Sequence, residues 1–71
     1  MISYEEYISA IGSKVHALRA QTGLSLRAFS MMIGVHYNQV LHIEQGKVNP
    51  SIKTLYKIAE GLQVDIKDLL P

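Results

Sequence analysis

Residues 36 to 42 hold most of the side chains in this sequence that could do chemistry on a partner. They are His36, Tyr37, Asn38, Gln39 and His42, with Leu41 able to give only apolar contact. The Asn38 amide can pair a donor and an acceptor with a planar edge of complementary pattern, and Tyr37 offers a hydroxyl on an apolar ring. Catalysis has no comparable support. Ser25 and Ser30 are candidate nucleophiles, but no histidine and carboxylate stand in a pattern that supplies a base and an orienting group. His16, His36 and His42 match no metal-ligand spacing, and neither a cysteine nor a pair of carboxylates joins them. The chain is therefore read as non-enzymatic, with no metal, no cofactor and no small-molecule ligand, acting by hydrogen bonds and charge.

The charge is segregated. The net charge is only +1, yet residues 14 to 57 carry Lys14, Arg19, Arg27, Lys47, Lys53 and Lys57 against Glu44 alone. The ends hold Glu5, Glu6, Glu60, Asp65 and Asp68 against Lys67. This distribution implies a basic surface and a separate acidic one. A chain of 71 residues is expected to form one domain, residues 1–71. A domain this small buries about 60% of its unfolded surface, and its core supplies no more than roughly 3–5 kcal/mol. The absence of cysteine fits a reducing compartment. No apolar run approaches the ~20 residues of a membrane span, and no signal peptide is evident. A cytoplasmic location is expected.

The elements that must position these side chains follow from periodicity and caps. The spacing predicts an all-α domain of five helices, at about residues 4–22, 26–33, 36–45, 52–62 and 66–70. Ser3 and Glu6 have the spacing of a capping box, and Ile8, Ile11, Val15, Leu18 and Thr22 form one stripe of the first helix. Gly12 weakens that helix by about 1 kcal/mol, for which a close helix contact is one reason. The extra N-terminal turn, with Ile2, Tyr4 and Tyr7, would cover the core or a second subunit, the core being preferred. Gly23 supplies the C-terminal cap.

Ser25 caps the second helix, and Phe29 and Ile33 share a face. Gly34 makes the turn, Val35 is its apolar residue, and Val40 and Ile43 face inward from the third helix. Met31 and Met32 read as core and surface filler. Ser51 caps the fourth helix, with Ile52, Leu55, Ile58, Ala59 and Leu62 as its inner stripe. Asp65 caps a short fifth helix, where Ile66, Leu69 and Leu70 close the core. One helix buried for support and the next holding polar groups outward, over residues 25–45, is the layout of a helix-turn-helix reader.

This stretch resembles the phage repressor and Cro family of helix-turn-helix proteins, the xenobiotic-response-element type. The resemblance rests on Phe29, Ser30, Ile33, Gly34, Val35, Val40 and Ile43, and on the ending Ile43-Glu44-Gln45-Gly46-Lys47 followed by Pro50-Ser51. It implies a sequence-specific regulator of transcription, a repressor or autoregulator, that binds double-stranded DNA with residues 36–45 in the major groove. It also implies an ion pair between Arg19 and Glu44 that ties the first helix to the third.

On this reading the base-reading residues are His36, Tyr37, Asn38, Gln39, Leu41 and His42. Asn38 pairs with adenine, Tyr37 meets a thymine methyl, and Gln39 faces the groove or braces the helix. His36 caps its helix or touches phosphate. The phosphate contacts are Ser25, Arg27, Lys47, Asn49, Ser51 and Lys53, near the N-termini of the second and fourth helices. Leu26 departs from the family, which often has a glutamine there that bonds phosphate and braces the reader; that clamp is absent or replaced by Arg27. Gln63 stands where the family often has glycine.

A homodimer on a pseudo-palindrome is expected, with half-sites about 10 bp or ~34 Å apart, or a multiple of that. Its interface is assigned to Leu62, Val64, Ile66, Leu69 and Leu70, which otherwise only seal the core. The alternative function is an antitoxin-type module that binds a toxin and its own promoter; a polymerase-touching activator is a third.

Overall fold

Three of the four α-helices open at a serine whose hydroxyl satisfies a free backbone N–H. Ser3 Oγ accepts from Glu6 N at 3.1 Å, and Glu6 Oε1 accepts from Ser3 N at 3.1 Å, closing the expected box. Ser25 Oγ accepts from Ala28 N at 3.0 Å, and Ser51 Oγ from Thr54 N at 3.1 Å. The computed structural model describes residues 1–71 and places α1 at Tyr4–Thr22, α2 at Leu26–Ile33, α3 at Tyr37–Glu44 and α4 at Ile52–Leu62. A 3-10 turn, Ile66–Leu69, closes the chain, and there is no strand. None of the helices is long and apolar enough to cross a membrane.

Two elements differ from the sequence reading. α3 is one residue shorter at each end, because His36 and Gln45 occupy the positions that flank it. The last element is a 3-10 turn ending at Leu69, not an α-helix to residue 70. Asp68 N donates to Asp65 O at 2.9 Å and Leu70 N to Lys67 O at 3.2 Å, both three residues back. Leu70 is extended, at φ −93 and ψ 145, the conformation that the following Pro71 favours.

The inner stripes meet in one core built on Val15, Phe29, Val40, Ile43, Ile58 and Leu69, all fully buried. α1 crosses α3 closely at Gly12. A Cβ there would collide with the carbonyl oxygens of Ile43 and Glu44, so glycine is required by the approach of two backbones, not by its dihedral freedom. Gly34 does need that freedom: it sits at φ 71 between α2 and α3. Gln63 adopts the same left-handed conformation at φ 59 and caps α4 without a glycine.

Several positions expected inside lie outside. Ile52 is 73% exposed, because it starts α4 beyond the edge of the core. Thr54 is buried in its place, satisfied by hydrogen bonds to its hydroxyl. Ile2, Tyr4 and Tyr7 are exposed and do not cover the core. Met31 and Met32 are also exposed, although the Met32 methyl borders Gly61 of α4 beside Phe29. Leu70 is exposed as well, turned out where the 3-10 turn ends.

Candidate nucleic-acid interface

Three helix N-termini converge on one region of the surface. Arg27, in the first turn of α2, lies with Cζ 5.0 Å from the centroid of the Tyr37 ring at the start of α3. Gln39, in the first turn of α3, donates from Nε2 to Thr54 Oγ1 in the first turn of α4, at 3.3 Å. The start of α3 is thereby held between the starts of α2 and α4. Each helix N-terminus carries unpaired N–H groups and a partial positive charge. Arg27 and Lys53 add full charges to the two flanking ends, so the region suits a polyanion.

The α3 side chains assigned to base reading are accessible. His36, Tyr37, Asn38, Gln39 and His42 are exposed, and Leu41 is half-buried. His36 makes no side-chain bond to the helix it precedes, so it does not cap α3 and its imidazole remains free for an outside partner. Gln39 does brace the helix through Thr54, and with one N–H committed it still offers its oxygen and its second N–H. Of the phosphate set, Arg27, Lys47, Asn49 and Lys53 are exposed. Ser25 and Ser51 are exposed too, but their hydroxyls are engaged in capping. Ser51 Oγ also donates to Thr54 Oγ1 at 3.0 Å. The contribution these two serines can make is through the helix ends they order.

The angle at which α3 is presented is fixed from behind. Arg19 Nε donates to Glu44 Oε2 at 2.7 Å and Nη2 to Glu44 Oε1 at 3.0 Å, the bidentate pair expected from the sequence. A third guanidinium donor, Nη1, reaches Leu24 O at 2.9 Å and ties in the α1–α2 loop. Thr22 Oγ1 reinforces that loop by accepting from Leu24 N at 3.1 Å.

The sequence reading missed His16, whose Nδ1 lies 2.9 Å from Glu44 Oε1. A carboxylate only accepts, so this bond requires the Nδ1–H tautomer, in which the 3.3 Å approach of Arg19 Nη2 to the same nitrogen is not a hydrogen bond. The spacing of His16 one turn before Arg19 on α1 was the available signal. Burial raises the Glu44 carboxyl, but the hydrogen bonds and charges of Arg19 and His16 outweigh it and hold the group below its ordinary range. The same pairing pushes the Arg19 guanidinium up.

The residues assigned to a dimer surface divide. Leu69 is fully buried and belongs to the monomer's own core, so it cannot face a second copy. Leu62, Val64 and Ile66 are half-buried against that core, and Leu70 is exposed. Val64 and Ile66, with Tyr56, Ala59, Glu60 and Asp65, line a shallow depression of about 460 Å³. No three metal-ligating side chains cluster anywhere in the chain.

A helix-turn-helix family model (HTH_3) matches residues 15–69. An HTH-type transcriptional regulator of Archaeoglobus fulgidus, itself uncharacterized, is 32% identical over 57 residues, 80% of this chain and 81% of the relative. The crystal structure of the restriction-modification controller protein C.AhdI from Aeromonas hydrophila is similar, with a TM-score of 0.85 and 25% identity over 89% of this chain and 96% of that one. The DNA-binding domain of BldD is similar at a TM-score of 0.86 and 28% identity, over 97% of this chain and 100% of the other.

Proposed function

The chain belongs to the helix-turn-helix family of DNA-binding transcriptional regulators, and from that premise we propose that it represses or autoregulates by occupying a pseudo-palindromic operator as a homodimer. The observation that carries this is the convergence of the α2, α3 and α4 N-termini around an exposed, hydrogen-bonding face of α3. In this reading α3 lies in the major groove. His36, Tyr37, Asn38, Gln39, Leu41 and His42 meet base edges. Arg27, Lys47, Asn49 and Lys53, with the helix ends capped by Ser25 and Ser51, hold the flanking phosphates.

α3 contains no arginine or lysine, so it lacks the commonest guanine contact, and a preference for A·T-containing or shape-encoded sites follows. One 71-residue copy offers too little surface for specific affinity at cellular salt, which is the reason for a dimer. Its interface is assigned to Leu62, Val64, Ile66 and Leu70, without Leu69. The whole chain, residues 1–71, acts as one DNA-binding domain.

Selection from a random duplex pool at about 150 mM salt tests the reading. An enriched palindrome supports a dimeric base reader, and its spacing gives the dimer geometry. A folded protein that enriches nothing overturns it. A second reading, a protein-binding antitoxin-type module, is favoured by one observation: Ile2, Tyr4 and Tyr7 leave an apolar surface exposed at the start of α1. Stable co-purification with a co-expressed toxin encoded beside its gene, lost on Tyr4→Ser, would support that role.

A further inference from the structure

Arg27 is the one charged or polar side chain in the first turn of α2, which reads Leu26-Arg27-Ala28-Phe29. Leu26 packs against the core and Phe29 is inside it. Arg27 instead extends to the neighbouring helix, where its guanidinium carbon sits 5.0 Å from the centre of the Tyr37 ring. Tyr37 is the first residue of α3 and stands at the edge of its exposed face.

A guanidinium is planar. It stacks on an aromatic ring through its face while its N–H donors point outward in the plane. With its Cζ over the Tyr37 ring and no hydrogen bond to the rest of the chain, the guanidinium keeps its donors available at a helix N-terminus suited to a phosphate. A lysine ammonium is a compact point charge and has no such division between a stacking face and a donor edge.

Resting on the operator reading above, we infer that Arg27 is a positioning residue that couples the two kinds of DNA contact. Its edge binds a backbone phosphate, and its face then holds the Tyr37 ring in the rotamer that meets the base. A sequence-neutral contact on α2 thus sets how sharply one base pair is read from α3. Lys53, at the start of α4, has no aromatic partner and contributes charge alone.

The experiment uses the full chain and the duplex enriched from the random pool, together with a set of duplexes each changed at one base pair. Arg27→Ala should lower the slope of log affinity against log salt by about one. It should also reduce discrimination about five- to tenfold at the base pair read by Tyr37, leaving preferences elsewhere unchanged. Arg27→Lys should restore the slope but not the full discrimination. Lys53→Ala should lower the slope and leave every base preference intact. Tyr37→Ala added to Arg27→Ala should cost discrimination no further. An Arg27→Ala variant that loses the same factor on every duplex overturns the inference, as do Arg27 and Tyr37 effects that simply multiply.

A DNA-free readout separates this inference from the reading beneath it. The Arg27 Hδ protons should be shifted upfield by the Tyr37 ring current in the NMR spectrum, and should return to ordinary values in Tyr37→Leu. Unshifted protons overturn the inference alone. A pool that enriches nothing overturns the operator reading, and the coupling with it, whatever the shift.

Discussion

The Arg19 guanidinium grips the Glu44 carboxylate with two hydrogen bonds, of 2.7 and 3.0 Å, across 25 positions of sequence. Both side chains are largely removed from solvent, at 13% and 6% exposure. A bidentate pair in that setting is directional, so it fixes the rotation of α3 against α1 as well as their distance. The backbones of these helices also approach closely at Gly12, against the end of α3. The reading face is therefore aimed by contacts on its far side.

Removing Arg19 leaves the buried Glu44 carboxylate with the exposed His16 imidazole as its one remaining side-chain partner. Arg19→Ala is expected to cost about 3 kcal/mol or more, which in a domain of this size lowers Tm by well over 10 °C, at roughly 4–8 °C per kcal/mol. Arg19→Lys should fall between, because an ammonium cannot make the parallel pair. Thermal and urea unfolding measure both. An Arg19→Ala variant within about 0.5 kcal/mol of the parent would mean that the pair is solvated in solution.

Glu44 also makes stability depend on pH. Its folded carboxyl lies below the ordinary 4.5, so the unfolded chain takes up a proton first as pH falls. The stabilisation is fully present above the ordinary value and drains away as pH drops below about 4.5 toward the folded value. Glu6, held down by the Ser3 backbone and hydroxyl, shifts stability in the same direction. The comparison with Glu44→Gln isolates Glu44: urea midpoints from about pH 6 to about pH 3 should fall less steeply in the variant. Parallel curves would assign the acid sensitivity elsewhere.

Two glycine exchanges should have opposite signs. Gly12→Ala improves helix propensity by about 1 kcal/mol, yet its methyl would run into backbone carbonyls that cannot yield. A net loss of about 2 kcal/mol is expected. Gln63→Gly relieves a left-handed residue that costs about 1 kcal/mol and should raise the unfolding midpoint. Stabilisation by Gly12→Ala would show that α1 and α3 separate more readily than their packing indicates.

Ser30 is buried and its hydroxyl has no hydrogen-bond partner. An unsatisfied buried hydroxyl costs about 1–3 kcal/mol, and alanine is both the better helix former and nearly the same size. Ser30→Ala should therefore stabilise the chain by about 1 kcal/mol in urea titrations. Destabilisation would reveal a partner for the hydroxyl in solution.

Binding variants should separate reading from holding. Asn38→Ala should cost about 1–3 kcal/mol on the enriched duplex and relax the preference at one position. Lys47→Ala should weaken every duplex alike and reduce the salt slope by about one. Equal loss from Asn38→Ala on all sequences would move that residue to the backbone contacts.

The sequence by itself determined the four α-helices and their serine and glycine caps, and its resemblance to a known family implied the Arg19–Glu44 pair. Caps and turns are local chemistry: Ser3, Ser25, Ser51, Gly23 and Gly34 act on backbone within a few residues of themselves. Apolar spacing then identified which faces meet. Only the tertiary structure decided where those faces end and which side chains cross between helices. Periodicity put Ile52 inside, but α4 begins past the edge of the core, so Ile52 is exposed and Thr54 is buried. It could not decide whether Leu69 seals this chain or faces another, because burial by either looks the same in a pattern. His16 at Glu44, Arg27 on Tyr37 and Gln39 at Thr54 are all contacts between different helices. They depend on the angles at which α1, α2, α3 and α4 pack, and those angles follow from the fit of whole surfaces, which no local spacing encodes.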